Sequence, residues 1–302
     1  MDRPCLDILR RLKLPDVYTI ALEELEADNK ELLDVKKARS RIEYYFTCTP
    51  SLPLYILNNW PEVDTITYLD ADLFFFADPA PIYREFSGHS IAIIPHRFPP
   101  NLRSHERHGI YNVGYLSFKR DPHASTCLQW WKNKCLEWCC DRVENNRYAD
   151  QKYLDDWPTR FRGVVEIQHK GANLAPWNIS NYTISNDKNG VRVDDQPLIF
   201  FHFHGFRQIN RWLYDPNLAI FKVKPSQTVK QSVVAPYIHA LVEVTELVSP
   251  ELSKPSIPYG IRRQSKNSSL QYRLWKALDS LICLSRTILT KNYIVVINDR
   301  IM

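Results

Sequence analysis

The sequence predicts an α/β fold in which a mainly parallel sheet is flanked by helices and followed by a C-terminal helical appendage. Strand-like segments rich in β-branched residues alternate with helical patterns over the first two hundred residues, which is typical of strands joined by crossover helices. Glycine is scarce, with 8 residues against 20 prolines, and neither a P-loop nor a G-x-G-x-x-G pattern occurs. After residue 215, polar stretches and scattered prolines replace the alternation.

The N-terminal third is predicted to be largely helical. Apolar residues recur at helical spacing over residues 5–14, and the Pro15-Asp16 pair ends that pattern. Residues 17–22 are predicted to form a short strand, and the charged residues 23–37 a helical or irregular segment. Residues 41–58 predict a buried helical region that is interrupted at Thr49-Pro50 and at Pro53.

The strongest strand signal covers residues 63–69, which are rich in β-branched residues and follow Pro61. A helix or turn is predicted near residues 81–86, a strand over 90–95, and an extended segment over 109–119. An amphipathic helix is predicted over residues 123–142. Its inner side comprises Leu128, Trp131, Cys135, Trp138 and Cys139.

A hairpin is predicted around residues 187–190, between short strands at 182–185 and 191–193. One further apolar strand is predicted over 197–203. Two amphipathic helices follow, near residues 235–247 and 270–289. We therefore predict a catalytic-type domain over residues 1–215 and a helical appendage over residues 216–302.

Composition and cysteine usage narrow the class of protein. The net charge of +5 is mild and scattered, so nucleic-acid binding is not predicted. None of the seven cysteines forms a C-x-x-C pair, and the four on the tryptophan-rich helix are interpreted as reduced, buried thiols. The N-terminus has no apolar run, and no continuous apolar segment of ~20 residues occurs. These features predict a cytoplasmic chain.

The principal candidate site is the Asp70-Ala71-Asp72 sequence, which follows the predicted strand 63–69. In an extended segment, residues i and i+2 project to the same side, so both carboxylates can face one ion. Ligands bind at the carboxyl ends of strands in parallel α/β sheets, and two carboxylates suit Mg²⁺ or Mn²⁺. The alternative is a strand end whose carboxylates accept backbone N–H bonds.

Three later segments carry further candidates. Asn112 offers a donor and an acceptor for sugar hydroxyls, although it can equally form a turn beside Gly114. Asp150 can act in a site or cap the following helix. His202 and His204 share one face of a predicted strand, where a core role competes with metal binding, and His204 is the reserve ligand. Trp177 and Asn178 can present an aromatic face to a sugar ring or pack in the core.

Together these segments resemble GT-A glycosyltransferases, especially those of family 8. Residues 68–79 are similar to their Asp-x-Asp region, 111–116 to their aromatic-Asn-x-Gly segment, 149–154 to their Asp-Gln segment, and 201–205 to their His-aromatic-x-Gly segment. The four segments occur in the family's order, and the resemblance covers about residues 17 to 210.

The resemblance implies a GT-A fold and a hexosyltransferase that moves a sugar from a nucleotide-diphospho-sugar, a UDP-sugar by preference, to a glycan or lipid-linked acceptor with retention of configuration. It implies that Mn²⁺ or Mg²⁺ is held by Asp70, Asp72 and His202. The donor sugar would be bound by Asn112 and Gly114, with Arg207 at the diphosphate. Asp150 and Gln151 would be the catalytic residues, which lie against the sugar and the acceptor.

The chain also departs from the family. The Lys-Pro-Trp that often follows the family's histidine is absent, and Arg39 and Arg41 are weak substitutes for its usual upstream arginine. The family's first strand and turn, which hold the nucleoside, are expected before Asp2. Two alternatives therefore stay open: a non-catalytic sugar- or protein-binding relative, and a sugar nucleotidyltransferase. The basic amphipathic pattern over 270–289 suits either peripheral contact with an anionic membrane or packing against protein.

Overall fold

Helices dominate the first sixty residues. The structure, a computed structural model, describes residues 3–210, 212–249, 293–297 and 300–301. Helix α4 begins with a reciprocal capping box, in which Ser40 and Glu43 satisfy each other's backbone N–H groups. The predicted interruption at Thr49-Pro50 separates α4 (Arg41–Cys48) from α5 (Ser51–Asn59). The one predicted at Pro53 does not occur, because Pro53 lies in the first turn of α5, where its missing N–H breaks no intrahelical bond. The helices are α1 (Arg3–Leu12), α2 (Leu22–Asp28), α3 (Lys30–Lys36), α4 (Arg41–Cys48) and α5 (Ser51–Asn59).

The strand predicted over residues 17–22 does not form. Residues 17–21 are irregular, and α2 begins at Leu22. Tyr18 is 84% exposed and Val17 is 47% exposed. A β-propensity signal produces a strand only where a neighbouring strand is available, and none of the strands that the structure describes pairs with this segment.

The contacts of the chain divide it into two units. The first comprises Met1–Leu73 and Asp78–Asn173, and the second comprises Phe74–Ala77 and Leu174–Met302. The division lies near residue 174, whereas the sequence analysis expects a boundary near residue 215. Strand β11 (Leu213–Asp215) pairs with both β10 (Arg207–Gln208) and β12 (Ile294–Ile297), so these segments belong to one unit.

The first unit contains a four-stranded sheet in the order β1, β4, β3, β5. Its strands are β1 (Thr65–Leu69), β3 (Ile91–Pro95), β4 (Tyr111–Lys119) and β5 (Val164–Glu166), and helix α6 (Ala80–Phe86) precedes β3. Strand β4 is antiparallel to both β1 and β3, and only the β3–β5 pair is parallel among the described strands of this sheet.

This sheet is mixed, with two antiparallel pairs and one parallel pair among its described strands, and is not the mainly parallel sheet that the sequence predicts. Strands β3 and β4 are joined by the 3₁₀ segment Pro100–His108 instead of a crossover helix. A strand that returns through such a connection can lie antiparallel beside the strand it left, whereas a parallel neighbour requires a longer crossover.

Helix α7 (Pro122–Glu137) packs on this sheet as predicted, although it ends before Trp138. Asp121 caps its N-terminus by accepting from the backbone N–H groups of His123 and Ala124. Trp131, Cys127 and Cys135 are fully buried, and both cysteines are free thiols. The described cysteines on this segment therefore behave as the buried thiols that the sequence predicts.

The second unit is built from short strands and, among its described residues, one α-helix. Strands β6 (Ile184–Asp187) and β7 (Gly190–Val193) form the predicted hairpin, to which β8 (Gln196–Pro197) adds. Strand β2 (Leu73–Phe75), which enters this unit at Phe74, pairs with β9 (Phe200–His202). The remaining α-helices are α8 (Trp157–Arg160) of the first unit and α9 (Ala235–Val248) of the second, which also contains β13 (Arg300–Ile301). Short 3₁₀ segments cover Lys152–Asp156, Ile179–Asn181 and Leu218–Phe221, and a π-helical segment, Val229–Val234, precedes α9.

No helix among the described residues is long and apolar enough to cross a membrane. The helix predicted near residues 235–247 is confirmed as α9. The basic amphipathic helix predicted over residues 270–289 lies outside the described residues.

Candidate functional site

The Asp70-Ala71-Asp72 sequence follows β1, but it is a turn and not an extended segment. Strand β1 ends at Leu69, and the backbone N–H of Leu73 donates to the carbonyl of Asp70 at 3.3 Å. The extended geometry predicted for these two carboxylates is therefore wrong. The backbone N–H of Asp70 donates to the carbonyl of Gly114 at 3.0 Å, which holds the start of the turn against β4.

A second carboxylate lies close to Asp70 within the first unit. Asp150 is 4% exposed, and burial raises its pKa to about 7, with a further upward contribution from the negative charge of Asp70 and an opposing one from a hydrogen bond with Thr49. Tyr68 donates its hydroxyl to Oδ1 of Asp70 at 2.9 Å. Burial and the charges of Asp70 and Asp150 raise the pKa of Tyr68, so this phenol stays protonated and remains a donor.

Asn112 lies on β4 beside this pair and is held by protein groups on both ends of its amide. Its Oδ1 accepts from the backbone N–H of Gly114 at 3.2 Å. Its Nδ2 lies 3.3 Å from both Nε2 of His96 and Oε1 of Gln151. The side chain is only 5% exposed. The sugar-binding role of Asn112 and Gly114 stays a prediction, and a ligand there would meet an amide that is already oriented.

Gln151 joins this cluster to the segment Pro100–His108. Its Nε2 donates to the carbonyl of His108 at 3.0 Å, and its Oε1 also accepts from the backbone N–H of Val113 at 3.4 Å. Gly109 lies against it with φ of 135°, and an added Cβ would be 3.0 Å from Cγ of Gln151. Gln151 therefore has a defined place between two segments that are distant in the sequence.

Asp150 does not cap the following helix. The short 3₁₀ helix Lys152–Asp156 has Gln151 at its N-cap position and no side-chain capping bond. The carbonyl of Asp150 accepts from Nε1 of Trp131 at 2.8 Å, which anchors this residue to α7. The capping alternative for Asp150 is thereby removed, whereas its catalytic role stays a prediction.

In the second unit, the candidate residues His202, His204 and Trp177 form a cluster of their own. His202 ends β9 and is 2% exposed, while His204 lies in the following turn and is exposed. A ring nitrogen of His202 lies within 4.8 Å of one of His204. Trp177 makes edge contacts with both, at centroid distances of 5.2 and 5.7 Å. The two imidazoles are close enough to serve one ion together.

Trp177 and Asn178 are buried in this unit, at 3% and 0% exposure. Oδ1 of Asn178 accepts from the backbone N–H of Ala175 at 2.9 Å, so its amide closes the local turn. Trp177 also contacts Phe221. The structure places both residues in packing and turn-forming positions, which was the alternative to sugar contact.

Arg207 follows the histidine pair on β10. Its guanidinium donates to Oδ2 of Asp215 at 3.1 Å, and the Asp215 side chain is 5% exposed. The arginine side chain is itself 32% exposed. A diphosphate at Arg207 would therefore share the guanidinium with a buried carboxylate, an arrangement that the planar five-donor group permits.

Two proteins of Bacillus subtilis (strain 168) are similar to this chain over most of its length. YfnD is 32% identical over 242 residues, which cover 79% of this chain and 76% of YfnD. YfnF is 36% identical over 218 residues, which cover 70% of this chain and 71% of YfnF. The chain belongs to the YfnD and YfnF family. Both of those relatives are described as uncharacterized proteins.

A solved structure is a more remote neighbour of this member of the YfnD and YfnF family. It is a glycosyltransferase involved in the glycosylation of the major capsid of PBCV-1, with 13% sequence identity and a TM-score of 0.38. The likeness covers 55% of this chain and 73% of that one. No family model matches the chain.

Sequence reasoning missed three side chains that contact the candidate residues in this YfnD and YfnF relative. The sequence predicts Thr49 only as a helix interruption and Tyr68 only as a strand residue, and it indicates no role for His96. Tyr68 could have been found, because a phenol two residues before a carboxylate can reach it. Thr49 and His96 are distant in sequence from their partners, and no local pattern indicates them.

Proposed function

We propose that this chain is a metal-dependent glycosyltransferase that moves a sugar from a nucleotide-diphospho-sugar to a glycan or lipid-linked acceptor. The bound ion would be held by Asp70, Asp72 and His202, with His204 as the reserve ligand. It would neutralise the charge that develops on the leaving diphosphate, which is a Lewis-acid role. The resemblance to family 8 favours a UDP-sugar and retention of configuration.

The observation that carries the proposal is the pair of imidazoles at the end of β9 in the second unit. A ring nitrogen of His202 lies within 4.8 Å of one of His204, so the two side chains can bind one ion together. His202 is the histidine ligand predicted from the sequence, and His204 is its reserve.

The donor set also favours one metal over the other. Carboxylates suit both Mg²⁺ and Mn²⁺, whereas imidazole ligands are typical of transition metals and uncommon for Mg²⁺. If both histidines bind, Mn²⁺ is the better match of the two. We therefore expect Mn²⁺ to bind more tightly than Mg²⁺ and to support more turnover.

The polar cluster of the first unit supplies the proposed sugar-positioning groups. Asn112 and Gln151 are oriented by hydrogen bonds, and Asp150 is a buried carboxyl close to Asp70. A buried carboxyl with a raised pKa near a candidate metal ligand is characteristic of functional sites. Asp150 and Gln151 are therefore our candidates for the groups that meet the transferred sugar.

The test uses single substitutions at the proposed ligands, with isothermal titration of Mn²⁺ and an assay of UDP-sugar hydrolysis. Asp72→Ala and His202→Ala should each weaken Mn²⁺ binding by at least about tenfold and abolish metal-dependent turnover. The matched control is Asp64→Ala, which removes an exposed carboxylate just before β1. That variant should bind Mn²⁺ as the wild type does.

Three results separate the proposal from its alternatives. Asp72→Ala protein with undiminished Mn²⁺-dependent turnover would contradict the ligand assignment. Wild-type protein that binds Mn²⁺ and UDP-sugars but turns over none would support a non-catalytic binding protein. Formation of a sugar nucleotide from a nucleoside triphosphate and a sugar phosphate would instead support a nucleotidyltransferase.

A further inference from the structure

His96 has both ring nitrogens within hydrogen-bond distance of fixed partners. Its Nδ1 lies 3.1 Å from the carbonyl of Ile110, and its Nε2 lies 3.3 Å from Nδ2 of Asn112. A carbonyl can only accept, so Nδ1 must carry the proton. Nε2 then presents a lone pair to the amide of Asn112. These bonds select the neutral Nδ1–H form of His96.

The backbone partners of the Asn112 amide identify which of its two terminal atoms is the oxygen and which is the nitrogen. Oδ1 is identified because it accepts from the N–H of Gly114, which can only donate. Gln151 is oriented in the same way, since its Nε2 donates to the carbonyl of His108. The two N–H bonds of Asn112 are therefore directed to His96 and to Oε1 of Gln151.

The ring of His96 is also fixed by packing. It is 5% exposed and stacks on Phe98, with centroids 4.8 Å apart and planes inclined by 13°. Phe98 in turn stacks on His105 at 5.7 Å. A stacked and doubly hydrogen-bonded ring has little rotational freedom, so it can hold a partner side chain in one rotamer.

We propose that His96 is a positioning residue that, together with Gln151, holds the Asn112 amide in the orientation needed to receive the donor sugar. The inference rests on the proposed function. Asn112 is tied through Gly114 to the backbone N–H of Asp70, so the amide and the start of the acidic turn are held in one network. His96 acts on the sugar end of the donor through Asn112.

Two substitutions separate the two bonds of His96. In His96→Gln, the side-chain amide reaches the Nε2 position and can still accept from Asn112. In His96→Asn, the amide reaches only the Nδ1 position, so it keeps the bond to Ile110 and leaves Asn112 without this acceptor. Isothermal titration with UDP-glucose, UDP-galactose and UDP, each with Mn²⁺, then compares binding with and without the sugar.

We expect His96→Asn to weaken UDP-sugar binding by about tenfold while changing UDP binding less than about twofold, since loss of one buried acceptor has that size. His96→Gln should stay within about threefold of wild type for both. Equal affinities for all three proteins, or equal losses in both variants and for both ligands, would overturn the proposal.

A second readout does not depend on donor binding. In ¹⁵N-histidine-labelled protein, the His96 signal, assigned by its loss in His96→Gln, should show the neutral Nδ1–H form at pH 7.5. A predominantly Nε2–H or charged ring would overturn the network. If the ring has the expected form but the wild type binds neither UDP-sugar, the proposed function fails for the donor, and the positioning role fails with it.

Discussion

At the scale of single residues, Asp150 shows how burial decides the chemistry of a carboxyl group. An aspartate in water has a pKa of about 3.9. In the folded chain, loss of solvent and the charge of Asp70 raise the pKa of Asp150 to about 7. Between these two pKa values the unfolded chain has lost the proton that the folded chain retains, so ionisation favours unfolding in that window.

The free energy of unfolding should therefore fall as pH rises from about 4 to about 7, and then level off. The side chain of Asp150→Asn cannot ionise, so this variant should lack the fall. The difference in unfolding free energy between Asp150→Asn and wild type should therefore shift in favour of the variant by up to about 3–4 kcal/mol from pH 4 to pH 8. Urea unfolding across this pH range, in EDTA, is the measurement. Metal must be absent because a cation near Asp70 would favour the ionised carboxyl.

Asp64→Asn is the matched control for that series, because it removes an exposed carboxyl at the start of the same strand region. Its unfolding free energy should follow the wild-type pH profile. An Asp150→Asn profile parallel to that of wild type would contradict the placement of Asp150 as a buried acid beside Asp70.

At the scale of elements, the turn after β9 is shaped by a close approach to Gly205. Gly205 has φ of 69°, and an added Cβ would lie 2.3 Å from Nδ2 of Asn217. The same Nδ2 donates to the carbonyl of His204 at 3.0 Å. The turn that presents His204 therefore depends on the absence of a side chain at residue 205.

Gly205→Ala should destabilise the fold by more than Gly88→Ala, because Gly88 has φ of 84° but nothing within 4 Å of an added Cβ. We expect about 1–2 kcal/mol for the backbone conformation in both variants, and roughly 1–3 kcal/mol more for the collision with Asn217. Asn217→Gly should recover part of the loss in the Gly205→Ala background. Urea unfolding of the four proteins measures this, and equal losses at the two glycines would refute it.

At the scale of the whole molecule, metal binding should raise the free energy of unfolding and the Tm. An ion that binds only the folded chain adds about 2.7 kcal/mol at one hundred times its dissociation constant. For a chain of 302 residues, that corresponds to a rise in Tm of about 4 °C. Mn²⁺ should raise the Tm of wild type, Mg²⁺ should raise it less, and Asp72→Ala should show little change with either ion.

Scanning calorimetry with and without EDTA measures this effect, and Asp64→Ala again serves as the control. The same rise of Tm in Asp72→Ala and in wild type would show that the ion stabilises the chain from another place. A larger effect of Mg²⁺ than of Mn²⁺ would instead argue that neither histidine is a ligand.

The sequence by itself determined the elements whose signals are local. The β-branched run before Asp70 forms β1, the turn sequence at residues 187–190 joins β6 to β7, and the amphipathic pattern after Asp121 forms most of α7. Each depends on residues within a few positions of one another. The strand predicted at residues 17–22 is wrong for the same reason: β-propensity depends on local residues, whereas a strand also requires a partner strand elsewhere in the chain.

The tertiary structure alone decided strand direction and the partners of the candidate residues. Asp70 and Asp150 are eighty positions apart, and His96, Asn112 and Gln151 come from three separate segments. The sequence indicated which side chains can bind a metal or a sugar, because residue type and order along the chain are all that this prediction requires. Which of them meet, which are buried, and which carboxyl keeps its proton depend on long-range packing and the loss of solvent that packing imposes.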